Sequence, residues 1–142
     1  MSEITIEILR SVSDADTEQI AALVSQLTTK EVVPSRFSEV ARSTDATLFA
    51  ARREGRIVGV LVLALYPTLT GRKAWIEDVV VDSAERGTGI GRALVEKAVS
   101  EASARGAATI DLTSNPSRKA AHRLYRACGF TERATTPFRL KR

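Results

Sequence analysis

The sequence predicts a mixed α/β fold in which helices cover a central sheet. Three observations point to it. Apolar residues recur at helical spacing in some segments and alternate in others. The resulting order is β, α, α, three strands, then α, β, α and closing strands. A glycine-dense turn lies between a valine-rich strand and a helix. Together these give a sheet of about six or seven strands, flanked by about four helices, in one domain over residues 1–142.

Thr5 to Leu9 alternates as a strand does. Ser13, with Asp16 three residues on, resembles a capping box, and Ile20, Leu23, Val24 and Leu27 follow at helical spacing. Pro34 to Asp45 carries Phe37, Val40 and Ala41 and suits a short second helix. Thr47 to Arg52 and Ile57 to Tyr66 are apolar runs, joined as a hairpin by Arg53-Glu54-Gly55-Arg56. Pro67 and Gly71 bracket a loop, and Ala74 to Val81 is the next strand. After the glycine turn, Ile90, Leu94, Val95, Ala98, Val99 and Ala102 form one helical face, which Gly106 is placed to end. Ala108 to Thr113 is a strand, and Asn115-Pro116 marks a helix start. Ala120, Ala121, Leu124 and Cys128 form the buried stripe of that helix, and Gly129 closes it. Phe130 to Thr135 and Pro137 to Leu140 read as the last strands.

Composition narrows the function classes. The balance of 44% hydrophobic and 27% charged residues is that of an ordinary globular chain. No apolar run reaches the ~20 residues of a membrane span, and Met1 to Arg10 lacks the pattern of a signal peptide. One cysteine and one histidine leave no intrachain disulfide and no metal-ligand cluster. The expectation is a cytoplasmic protein that needs no metal. The net charge of +4 suits an anionic partner. Arg86, Arg92, Arg118, Lys119, Arg123 and Arg126 gather around the glycine turn and the last helix, and aromatics are too few for a nucleic-acid stacking platform. A phosphate-bearing small molecule is favoured over nucleic acid.

The turn itself is Val79-Val80-Val81-Asp82-Ser83-Ala84-Glu85-Arg86-Gly87-Thr88-Gly89-Ile90-Gly91-Arg92. Backbone N–H groups and a helix N-terminus converge there, which suits phosphate. The dinucleotide fingerprint fails, because its third glycine would fall on Arg92 or Leu94. The nucleotide P-loop fails because no Gly-Lys-Ser/Thr follows. The pattern that fits is R-x-x-G-x-G, as Arg86, Gly89 and Gly91, after an apolar strand ending in Val-Asp. It resembles the pyrophosphate loop of the GNAT superfamily of N-acetyltransferases. A second constellation follows at the expected distance: Ala120-Ala121, Leu124-Tyr125 and Cys128-Gly129-Phe130, similar to the second signature of the same superfamily.

The resemblance implies acetyl-CoA as acetyl donor, with no metal, and a primary amine of a small molecule or peptide as acceptor. It implies that the backbone of Val79, Val80 and Val81 holds the pantetheine arm as an added strand. The amides of Gly87, Thr88, Gly89, Ile90, Gly91 and Arg92 would take the pyrophosphate, with Arg86 or Arg92 adding charge. Tyr125 matches the tyrosine that donates a proton to the leaving thiolate. Glu77 is the candidate base, acting directly or through water, with Asp78 beside it. Trp75-Ile76-Glu77-Asp78 contains an Ile-Glu-Asp run similar to that of glucosamine-phosphate acetyltransferases, too short to name a substrate. Asn115 suits both a helix cap and a contact to the pantetheine arm. Many relatives carry an asparagine where this chain has Arg118, so Arg118 is a second candidate for the cofactor. His122 is a natural base chemically but falls off the expected buried stripe. The acceptor pocket of the superfamily corresponds to about Thr28–Asp45 and Pro67–Lys73, and dimers are frequent among relatives. The alternatives are a non-catalytic acetyl-CoA sensor of the same fold and a basic nucleic-acid binder. The second lacks any helix-turn-helix, zinc or ribonucleoprotein signature.

Overall fold

The computed structural model describes residues 3–142. Strands β1 (Ile4–Leu9), β2 (Ala46–Arg53), β3 (Arg56–Thr68), β4 (Gly71–Val81) and β5 (Thr109–Asp111) form one sheet in sequential order. The first four pair antiparallel, and β5 joins β4 in parallel. Helices α1 (Asp14–Leu27) and α2 (Ser35–Arg42) lie between β1 and β2 in sequence. Helix α3 (Ile90–Ala104) links β4 to β5, and α4 (Lys119–Ala127) follows β5. The mixed α/β class with four helices is as expected.

Local chemistry accounts for most boundaries. Ser13 caps α1, its Oγ accepting from the Asp16 N–H at 3.1 Å. The β2–β3 turn is the two residues Glu54 and Gly55, with φ of 53° and 78°, the left-handed pair that suits the twist of a hairpin. Both α3 and α4 stop in a Schellman motif. At α4, Gly129 sits at φ 96°, its N–H donates to the Arg126 carbonyl, and the Phe130 N–H reaches the Tyr125 carbonyl.

Four expectations are corrected. The segment bracketed by Pro67 and Gly71 is a tight hairpin, with β3 running to Thr68 and pairing there with Gly71. Helix α4 begins at Lys119 and not at Asn115. The Asn115 Oδ1 is occupied by the N–H and hydroxyl of Ser117, which turns the chain before the helix starts. Ala120 is exposed, and Tyr125 takes its place in the buried face with Ala121, Leu124 and Cys128 beside it. The two closing strands are absent, so the described residues hold five strands. Phe130 is used by the cap of α4, and Phe138 and Leu140 are 94% and 87% exposed, with no partner strand to bury them.

The sheet has an apolar layer on each face. Phe49, Leu61, Leu63, Leu65, Ala74 and Ile76 pack against α3 and α4. Leu48, Ala50, Ile57, Val60 and Val80 pack against α1 and α2. Two bulges interrupt the ladder. Near the β2–β3 turn, Ala51 pairs with Gly59 but Arg52 with Ile57, and the Ile57 N–H donates to Gln19 Oε1 of α1 at 2.8 Å. Between β3 and β4, Val60 pairs with Val80 but Val62 with Glu77. Two residues of β4, Asp78 and Val79, therefore oppose Leu61 alone, and Asp78 adopts φ 50°. Side chains facing α3 have even numbers up to Ile76 and odd numbers from Val79.

Candidate functional site

The second bulge lies where the sheet opens. β5 accompanies β4 for three residues only, pairing Lys73–Trp75 with Thr109–Asp111. From Ile76 onward, no strand among the described residues pairs with the β5-facing edge of β4. A cleft of about 490 Å³ occupies the opening, within the usual range for small-molecule sites. Ile76, Glu77, Asp78 and Val79 line it from β4, Leu112 and Thr113 from the chain leaving β5, and Arg118 and Tyr125 from the start and body of α4. The residues between Ile20 and Val40 that line it belong to α1, α2 and their connection.

Beyond the cleft, β4 leads into the glycine turn. Asp82 accepts the Ala84 N–H and starts a single 3-10 turn, Ser83–Glu85. The Ser83 N–H donates to Gln26 Oε1 of α1, and the Thr88 hydroxyl donates to the Glu85 carbonyl at 2.6 Å. Gly87 and Gly89 have φ of 81° and 86°, the region open to glycine, and a Cβ at either would meet nothing within 4 Å. Gly89 is the N-cap of α3 and has no side chain to satisfy the first-turn N–H groups of Ile90, Gly91 and Arg92. The turn before them is exposed from Arg86 to Gly89.

The individual side chains divide. Val79 and Val81 face α3 half-buried, and Val80 is buried on the opposite face. Ile90 is fully buried, so only its backbone is available to a ligand. Gly91 lies close under α4, since a Cβ there would come within 2.8 Å of the Leu124 Cδ1 and push that side-chain end aside. Arg86 is exposed at the turn, whereas Arg92 is paired with Glu96 at 2.6 Å along its own helix. Arg118 lines the cleft and Asn115 does not. His122 is half-buried, with its Nε2 buried and without a partner, and it does not reach the cleft.

Two ionisable groups of the cleft are perturbed. Partial desolvation in the cleft raises the Glu77 carboxyl above its ordinary value although the residue stays exposed to solvent, and the adjacent Asp78 adds to the rise. Burial also raises the Tyr125 hydroxyl, against a smaller downward pull from Arg118. Tyr125 is 8% exposed and its ring meets Phe130 edge-on, centroids 6.1 Å apart. The Schellman closure at Gly129 brings those two rings together. Alternation alone puts Glu77 and Asp78 on opposite sides of the strand; with the bulge, both line the cleft. Pro67–Lys73, expected at the acceptor pocket, forms the far hairpin and does not line it. The other expected stretch, Thr28–Asp45, does line it, Lys30, Glu31 and Arg36 among its residues, although no motif marks them individually.

This arrangement has known counterparts. Residues 15–130 match the acetyltransferase (GNAT) family. The chain belongs to that family. Rice (Oryza sativa subsp. japonica) glucosamine 6-phosphate N-acetyltransferase 1 is 33% identical over 111 residues, which cover 74% of this chain and 66% of the rice enzyme. Mycothiol acetyltransferase of Thermobispora bispora is 36% identical over 89 residues, 61% of this chain and 30% of that protein. The chain thus matches just under two thirds of the first relative and under a third of the second. A putative acetyltransferase from Agrobacterium tumefaciens superposes with a TM-score of 0.84 at 24% identity, covering 97% of this chain and 99% of that one, which shows the shared fold. Among the described residues, no group of side chains could hold a metal ion and no helix is long and apolar enough to cross a membrane.

Proposed function

We propose that the chain transfers the acetyl group of acetyl-CoA to a primary amine of a small-molecule or peptide acceptor. The observation that carries this reading is the continuity of one surface: an unpaired β4 edge from Ile76, running into a turn whose donors have no side-chain partner. The edge suits an extended amide-bearing arm, and the uncapped turn suits a pyrophosphate. The residues present therefore fit the donor. Val79 and Val81 would offer backbone groups to the arm, the amides of Gly87 to Arg92 would hold the pyrophosphate, and Arg86 would add a charge-assisted contact. Arg118 is the better-placed of the two α4-side candidates, because the Asn115 oxygen is committed to Ser117.

Acetyl-CoA, when bound, supplies an acetyl thioester whose C–S bond breaks as the bond from the amine nitrogen to the carbonyl carbon forms. An ammonium must first lose a proton to become a nucleophile. A carboxylate with a raised pKa accepts that proton more readily than an ordinary one, which favours Glu77 as base, directly or through a water. Tyr125 carries its proton at neutral pH, as a phenol ordinarily does and as the upward shift reinforces, so it is available to the departing sulfur. The low dielectric around a buried ring strengthens that hydrogen bond.

Isothermal calorimetry with acetyl-CoA, beside a thiol-release assay against a panel of amines, tests the reading. Cofactor binding with thiol release is the expected result. Binding without release across the panel would favour an acetyl-CoA sensor, and absence of binding would remove the functional content of the reading.

A further inference from the structure

The cleft is charged on two walls, one net positive and the other negative. Lys30 lines it from the α1–α2 connection and Arg36 from the first turn of α2. Glu77 and Asp78 line it from the β4 bulge. All four residues are exposed, and among the described residues none forms an ion pair. Glu31, beside Lys30, offsets one of the two cations on that wall, which stays net positive. Arg118 adds a further positive charge at the α4 end of the opening.

An amine reaches the protein mainly as an ammonium, and the bulge carboxylates attract it. Whatever else the acceptor carries then faces Lys30 and Arg36. A polycation would bring its second charge against like charge, and a neutral body would leave the guanidinium to water alone. A carboxylate or phosphate meets a guanidinium fork whose shape matches it. We infer that the acceptor is a small amine that also bears an anionic group, held by Arg36 and Lys30 while its nitrogen faces Glu77 and Asp78. This rests on the acetyltransferase reading above, and it adds the acceptor's chemical class.

The test uses the full chain and matched probes: glucosamine 6-phosphate against glucosamine, phenylalanine against phenylalaninamide, and spermidine as polycation. Binding is read by calorimetry with the protein saturated in acetyl-CoA, and turnover by thiol release at low and moderate salt. The anionic member of at least one pair should bind and turn over about tenfold better than its neutral partner, with the advantage shrinking as salt rises. Which pair responds distinguishes phosphate from carboxylate. The double variant Lys30→Glu/Arg36→Glu should abolish the advantage while acetyl-CoA affinity stays within about twofold, a readout that also reports intact folding. Equal performance of the neutral partners, preference for spermidine, no binding of either anionic probe, or an advantage that survives the charge reversal would each overturn the inference and leave the acetyltransferase reading standing. Failure to bind acetyl-CoA at all would overturn both.

Discussion

The Tyr125 hydroxyl, buried, and the Glu77 carboxyl, partly desolvated at the cleft, are both moved upward, with different consequences for catalysis. The phenol is protonated through neutral pH with or without its rise, whereas raising a carboxyl delays the moment at which it becomes a base. Activity should therefore climb with pH through a limb set above the ordinary carboxylate value near 4.5. In Glu77→Gln that limb should vanish and kcat fall about a hundredfold or more, as expected for loss of a general base. Rate measurements from pH 5 to 9 check both parts; an unchanged limb would place the base elsewhere. Tyr125→Phe should lower kcat by a similar factor with acetyl-CoA affinity retained, since the ring that packs on Phe130 remains. A parallel loss of affinity and kcat would make the residue a packing element only.

Helix α3 shows how an element's ends and faces serve different tasks. Its first turn offers donors to solvent, while Gly91 lets α4 approach closely enough for Leu124 to lie over it. Gly91→Ala should cost about 1 kcal/mol by forcing Leu124 aside. Combined with Leu124→Ala, the loss should be less than the sum of the two single losses, as chemical denaturation of the three variants would show. The sequence made such features legible where a residue type has one conformational use. Glu54-Gly55 fixed the hairpin, Ser13 the start of α1, and Gly129 the end of α4. The bulge at Asp78 was not legible, because an alternating pattern carries no mark for one inserted residue, and an aspartate tolerates left-handed φ without announcing it. The start of α4 was misplaced because Asn115 satisfies a turn and a cap equally well. At the site, the glycine turn and Tyr125 were readable from their motifs. Lys30 and Arg36 were readable only as members of the stretch Thr28–Asp45, since individually they are ordinary surface residues until the path between α1 and α2 turns them toward β4.

Across the whole molecule, one ion-pair cluster ties the first helix to the sheet. Arg52 of β2 holds Asp16 of α1 in a two-pronged contact at 2.9 and 3.0 Å, Glu7 of β1 at 2.6 Å, and the Gly55 carbonyl at 3.0 Å. The guanidinium keeps the Asp16 carboxyl below its ordinary value of 3.8. A depressed folded pKa contributes stability that is complete above the unfolded value and is lost as pH falls through the folded one. Arg52→Ala should therefore cost about 1–3 kcal/mol at pH 7. The gap from the parent protein should narrow as pH falls below the ordinary carboxylate value of 3.8, closing furthest once Asp16 is protonated in the folded parent as well. Thermal melts at pH 7 and pH 3 measure the difference; an equal gap at both would assign the cost to lost packing of the long side chain.

The bulge has an implication for how the strand is spelled. Glu77 pairs opposite Val62 and Val80 opposite Val60, so removing Asp78 would set Val79 opposite Leu61, its neighbour in the same apolar layer. Every other β4 side chain would keep the face it has now. The strand is thus one letter longer than its ladder requires, and the extra letter adds nothing to the core on either side. A chain lacking Asp78 should melt no lower than the parent yet lose affinity for acetyl-CoA. In that sense Asp78 is spelled into the strand for the opening beside it and not for the sheet.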